Sequence, residues 1–91
     1  MTMRHEKEGL LKEELRILAI RTRDRLQITQ GEMAKRLEMS ESSYSDIETG
    51  RTMCGTLTAI LLLDIQEDPN AFLIEMNAKF SKQYEKEMQH V

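Results

Sequence analysis

TQGEMAKRLEMSESSYSDIETGR, residues 29–51, contains the signals that decide the fold. Thr29 can accept a backbone N–H at the start of a helix, and Glu32 three residues later completes a capping box. Ser40 is a second N-cap, and Gly50 suits the residue that follows the end of a helix. The stretch therefore predicts two short helices joined by a tight corner, which must pack on other helices because neither is stable alone.

Helix signals continue on both sides of this stretch. Apolar residues at three- and four-residue steps predict a first helix from Leu10 to Arg25. After the corner, a helix that is apolar nearly all round extends from Leu57 to about Gln66, with Thr56 as its cap. A last helix follows Asp68, with Pro69 at its first position.

The 91 residues are enough for one small domain. We predict an all-α fold, a compact five-helix domain with an extended C-terminal helix. Residues 1–9 are expected to be a loosely ordered N-terminal segment. Residues 10–67 would form the domain itself, and residues 68–91 a C-terminal helix for packing and dimerisation.

Several classes of protein are disfavoured by composition. The single Cys54 excludes an internal disulfide and fits a reducing cytoplasm. No apolar run approaches the length of a membrane span. The chain has no phosphate-binding glycine loop and no metal-ligand spacing, and both histidines lie near its ends. We therefore expect that this protein is not an enzyme and that it has no catalytic residue, no metal and no cofactor.

The order Thr29-Gln30, Ala34, then Ile47-Glu48-x-Gly50 resembles the Cro/phage-repressor (Xre-like) helix-turn-helix family. The resemblance covers roughly residues 12–67. It implies a cytoplasmic, sequence-specific DNA-binding transcriptional regulator that acts as a homodimer. The second helix, about residues 41–49, would then be the recognition helix in the major groove of double-stranded DNA.

The resemblance also implies roles for individual residues. Arg23 would pair with Glu48 and tie the first helix to the end of the recognition helix. Gln30 would contact a phosphate and brace the recognition helix. Its outward face would provide the contacts to bases, and its two ends the contacts to phosphates. The implied DNA-binding set is Gln30, Ser40, Glu41, Ser42, Ser43, Ser45, Asp46, Thr49 and Arg51.

Two features depart from the family pattern. Most relatives have Gly at the corner position that Glu38 occupies here, because a left-handed conformation is often needed there. The net charge is −3, and residues 38–48 hold four acids and no base. Acids oppose the approach of phosphates, so an alternative function stays open. That alternative is an antitoxin, or another protein-interaction module on the same scaffold, with a partner such as a toxin.

The last helix has apolar residues at three- to four-residue steps. We expect Phe72, Leu73 and Met76 to pack in the core. The second half of this helix holds three more apolar residues, where less of the domain remains to cover them. We predict that these residues, Phe80, Tyr84 and Met88, form a dimer interface or a groove for another protein.

Overall fold

The computed structural model describes residues 2–88, and the side chains of residues 3–82. These residues form five helices and no strand, which confirms the all-α prediction. The helices are α1 (Thr2–Leu26), α2 (Gln30–Arg36), α3 (Glu41–Glu48), α4 (Thr56–Ile65) and α5 (Pro69–Met88).

The first helix is longer than predicted. It begins at Thr2 rather than at Leu10, so the expectation of a loosely ordered start is wrong for residues 2–9. Arg4 pairs with Glu8 one turn later at 3.2 Å, and the Lys7 ammonium lies 5.5 Å from the centre of the Phe80 ring. Contacts with α5 thus support turns whose own sequence pattern is weak.

The core lies where α1, α2, α3 and α4 meet. Thr29 and Ser40 cap α2 and α3 as predicted, and Thr29 and Glu32 complete the capping box. These caps fix the starts of two helices that then turn their apolar sides toward α1. The buried apolar residues that share this core are Leu15, Ala19, Met33, Ala34, Leu37, Tyr44, Ile47, Cys54 and Leu62.

Three helices end in the same way, next to a residue with positive φ. These residues are Gln27 at 55°, Glu38 at 55° and Gly50 at 79°. After α2, Met39 N–H donates to the Ala34 carbonyl at 3.0 Å, which is the hydrogen bond of a Schellman motif that spans six residues. The corner therefore keeps the left-handed geometry although it holds a glutamate, which costs about 1 kcal/mol.

The last two helices differ from the predictions in detail. Gly55 precedes α4 as its N-cap and makes no side-chain cap bond, so the cap predicted at Thr56 is wrong. Met76 is buried as predicted, whereas Leu73 is 55% exposed and does not belong to the core. The difference arises because Leu73 is rotated about 60° from Met76 around α5, toward the exposed side of that helix.

Candidate nucleic-acid interface

Glu48, the last residue of α3, is the centre of a buried polar network. Its carboxylate accepts hydrogen bonds from Arg23 Nε at 2.7 Å and from Arg23 Nη2 at 3.1 Å. Gln30 Nε2 donates to the same carboxylate at 3.0 Å, and the Tyr44 hydroxyl donates to it from one turn back. The network joins α1, α2 and α3, so it fixes the orientation of α3 on the domain.

The environment of this network holds its members in definite charge states. Burial alone would raise the pKa of Glu48, but hydrogen bonds from Arg23, Tyr44 and Gln30 outweigh burial and lower it. Burial, and then the hydrogen bond to Glu48, raises the pKa of Tyr44 well above its ordinary value. Glu48 is therefore an anion at neutral pH, and Tyr44 is a neutral donor to it.

The Arg23–Glu48 pair and the Gln30 brace are thus present as the family resemblance implied. One member of the same junction was missed by sequence reasoning. Arg16 Nη1 donates to the Glu48 main-chain carbonyl at 3.3 Å, while its other nitrogens bond to Glu13 at 2.9 and 2.5 Å. The available signal was spacing, because Arg16 precedes Arg23 by seven residues, or about two helical turns.

The outward side of α3 begins with a cluster of serine hydroxyls. Ser40 Oγ accepts the Ser43 N–H at 3.2 Å and donates to Ser43 Oγ at 2.8 Å. Ser42 Oγ lies 3.4 Å from Ser40 Oγ, and all three serines are exposed. Ser45, one turn further on, is half-buried. Small hydroxyls that donate and accept without bias suit both bases and phosphates.

The acids of α3 are largely compensated within the domain. Glu48 is paired inside, and Asp46 Oδ1 lies 3.7 Å from Arg51 Nη1. The Glu41 carboxylate rests against the first turn of α2, where a Cβ on Gly31 would lie 3.4 Å from Glu41 Oε2. Backbone N–H groups at a helix start favour a negative charge nearby. The net charge thus overstates the negative potential on this face.

The segment that follows α3 is anchored to Asp46. The main-chain carbonyl of Asp46 accepts hydrogen bonds from the Arg51 N–H at 2.9 Å and from the Thr49 hydroxyl at 3.3 Å. The Arg51 side chain projects from this anchor and is largely exposed. Lys35 and Arg36, at the end of α2, are also exposed cations. An anchored backbone that carries exposed cations is suited to phosphate contacts.

A family model described as a helix-turn-helix domain matches residues 13–64, more than half of the chain. The chain belongs to the helix-turn-helix family. Its domain is of the Xre/Cro-like type, as the sequence predicted. Neither the curated proteins nor the solved structures contain a match. In this helix-turn-helix domain, α2 and α3 are the two helices of the motif.

Helix-turn-helix domains bind DNA and are typically non-enzymatic. Among the side chains of residues 3–82, no three of His, Cys, Asp or Glu gather in a way that could hold a metal ion. Cys54 is a free, buried thiol whose pKa is raised by burial, so it is an inert core residue. Within the part of the chain that the structure describes, no helix has the length and apolar character to cross a membrane.

The residues predicted for dimerisation lie apart from α3. Phe80 is half-buried and lines an open groove of about 560 Å³ together with Met3, Lys7 and Leu11 of α1. The side chains of Tyr84 and Met88 lie outside the described ones. The structure therefore brings the predicted DNA-binding residues together around α3 and separates them from the C-terminal helix.

Proposed function

We propose that this helix-turn-helix protein is a cytoplasmic transcriptional regulator that binds a specific DNA sequence as a homodimer, with α3 as its recognition helix. The observation that carries the proposal is the division of α3 into two sides. Its inner side, with Tyr44, Ile47 and Glu48, is buried and bonded to α1 and α2. On its outer side, Ser42 and Ser43 are exposed, and their hydroxyls contact the N-cap residue Ser40 at the start of the helix.

Contacts to bases would come from the middle of the recognition helix. Ser42 can donate to or accept from base edges, while Glu41 and Asp46 can accept from a cytosine amino group. Contacts to phosphates would come from both ends, at Ser40 and Gln30 on one side and at Thr49 and Arg51 on the other. Ser43 and Ser45 border the base-contacting face. This division into positioning and specifying contacts is common in DNA-binding proteins.

A homodimer would place two recognition helices in successive major grooves. Half-sites in such complexes lie about 34 Å apart, so the operator would be an inverted repeat of that spacing. Binding would then act at a promoter, by occlusion or by recruitment. No cofactor takes part in this mechanism.

Selection from a random-sequence duplex library tests this proposal. The wild-type chain should enrich a short inverted repeat with half-sites one helical turn apart. Ser42→Ala should change the enriched sequence at one position in each half-site. Thr56→Ala, which removes an exposed hydroxyl at the start of α4, is the control and should enrich the wild-type sequence. If the wild-type chain enriched no sequence at low salt, the proposal would be wrong.

A second candidate function is a protein-interaction module, such as an antitoxin. It is favoured by the outward side of α4, where Leu57 is 67% and Ile60 is 59% exposed. Exposed apolar side chains that neighbour each other on a helix are typical of protein-binding surfaces. An absence of DNA binding at low salt, together with weaker binding of a toxin partner by Ile60→Ser, would favour this candidate.

A further inference from the structure

The last helix has one side that is committed to its own domain. Met76 is buried, and Phe72 packs against the core. Lys79 forms an ion pair with Glu14 of α1, and Phe80 lies beneath Lys7. Glu75 lines a second groove between α1 and α5, together with Phe72 and Lys79. These contacts fix the rotation of α5 about its axis.

The opposite side of α5 is neutral and uncovered in the domain. Asn70, Ile74, Asn77 and Ser81 are all exposed, and we call these four residues the neutral stripe. They are spaced by four, three and four residues, which keeps them on one side of the helix, about 130° round from Met76. Ile74 is 69% exposed, and the neighbouring Leu73 is 55% exposed. A large apolar side chain is thus left in water at the centre of the stripe.

The spacing of the neutral stripe is that of a seam between two paired helices. Apolar residues that recur by three and four residues form the contact line of a two-stranded coil, and a polar residue on that line sets its register at a cost in stability. The sequence continues the same spacing to Tyr84 and Met88, beyond the described side chains. With 20 residues, α5 is about 30 Å long, which is enough for several layers of such a seam.

Charge indicates which partner fits this stripe. A symmetric dimer brings identical patches together, so any charge on the seam would face its own copy. The charged residues of α5 among the described side chains are Glu75, Lys79 and Lys82, and none of them lies on the stripe. A surface free of charge is compatible with itself, and Asn77 at such a position can bond across the pair and set its register.

We propose that the neutral stripe of α5 pairs with the same stripe of a second copy of this chain. The proposal depends on the proposed function only for the existence of a homodimer, and it identifies the face that forms it. Phe80 would then support the N-terminal turns of α1, while Ile74, Asn77 and Ser81 contact the partner. The stripe is narrow and partly polar, so we expect reversible association.

Analytical ultracentrifugation of the full chain tests the stripe with a matched pair of variants. Ile74→Glu and Ile60→Glu replace the same residue type at similarly exposed positions, on α5 and on α4. We expect the wild type and Ile60→Glu to be dimers and Ile74→Glu to dissociate at least tenfold more readily. Ile74→Lys should also dissociate, which separates burial of a charge from a change in net charge. A circular-dichroism melt of each diluted variant should show unchanged folding of the monomer.

Two outcomes would overturn the proposal. One is a wild-type chain that stays monomeric at the highest concentration tested, which would leave the stripe to a different partner or to none. The other is a dimer that Ile60→Glu dissociates and Ile74→Glu does not, which would place the seam on α4.

DNA binding provides an independent readout. Ile74→Glu should bind a single half-site as the wild type does and lose most of the added affinity for the inverted repeat. A wild-type dimer that Ile74→Glu dissociates, but that binds no DNA in either form, would refute the proposed function and keep the seam.

Discussion

Arg23 and Glu48 lie 25 residues apart in the chain, yet they form a two-point ion pair between α1 and the end of α3, at 2.7 and 3.1 Å. Glu48 is buried, and Arg23 is mostly covered. The pair therefore exposes little polar surface to an approaching ligand. Its consequence is geometric, because it fixes α3 against the helix that precedes the motif.

Removal of the Glu48 carboxylate should therefore destabilise the domain. Glu48→Ala leaves Arg23 without its carboxylate partner and the Tyr44 hydroxyl with the Ala19 carbonyl, at 3.4 Å, as its remaining acceptor, which should lower the free energy of unfolding by about 3 kcal/mol. Urea denaturation followed by circular dichroism measures this change. Glu8→Ala, which removes an exposed acid paired with Arg4, is the control and should cost less than about 0.5 kcal/mol. Equal losses in both variants would show that the buried network adds nothing.

The same carboxylate should make stability depend on pH in the acid range. The pKa of Glu48 is lowered in the folded domain from an ordinary value of 4.5, so the folded state favours the anion. Its contribution is complete above that ordinary value and is lost as pH falls through the lowered pKa. The urea concentrations at which the wild type and Glu48→Gln are half unfolded should therefore differ at neutral pH and converge as the solution is made strongly acidic. A gap that stays constant across this range would contradict the assignment.

The corner between α2 and α3 should tolerate glycine better than its present residue. Glu38 has φ of 55°, and Glu38→Gly should raise the free energy of unfolding by about 1 kcal/mol because glycine adopts this conformation without strain. Lys35→Gly inside α2 is the control and should lower stability by about 1 kcal/mol. Thermal melts of the two variants should thus shift in opposite directions. Destabilisation by Glu38→Gly would mean that the glutamate side chain stabilises the corner.

Asp46 should weaken general attraction to DNA. Asp46→Asn removes a negative charge beside Arg51, at 3.7 Å, and frees that guanidinium for phosphate. We expect affinity for a random-sequence duplex to rise several-fold at low salt and this gain to shrink as salt increases. Fluorescence anisotropy with a labelled duplex measures both effects.

Asp64→Asn on α4 is the matched control, since it changes the net charge equally at an exposed site away from α3. It should alter affinity much less than Asp46→Asn. A loss of affinity for the random-sequence duplex in Asp46→Asn would show that Asp46 does not restrain Arg51.

The sequence was most informative where local chemistry decides structure. Caps at Thr29 and Ser40 and the stop at Gly50 depend on residues within one helical turn, so the bounds of α2 and α3 could be predicted. The left-handed φ at Glu38 was not decided by the sequence, which has glutamate where most relatives have glycine, whereas the caps were decided by their own neighbours. Local signals of this kind do not depend on the rest of the fold.

Features that depend on distant contacts could not be predicted in this way. The first turns of α1 are helical where Phe80 of α5, far along the chain, packs on them. Leu73 and Met76 are both apolar, and the rotation of α5 against α1 decides which one is buried. The contact of Arg16 with the Glu48 carbonyl, 32 residues away, likewise forms only when α1 and α3 pack together.

Contact between DNA and the outer side of α3 is tested most directly by NMR. Backbone amide shifts are mapped as a duplex of the enriched sequence is added to the labelled 91-residue chain. We expect the largest shifts at Gln30, along residues 40–46 and at Arg51, with little change around Ile60. Shifts confined to α4 and α5, or no shifts at low salt, would contradict a DNA-binding role for α3.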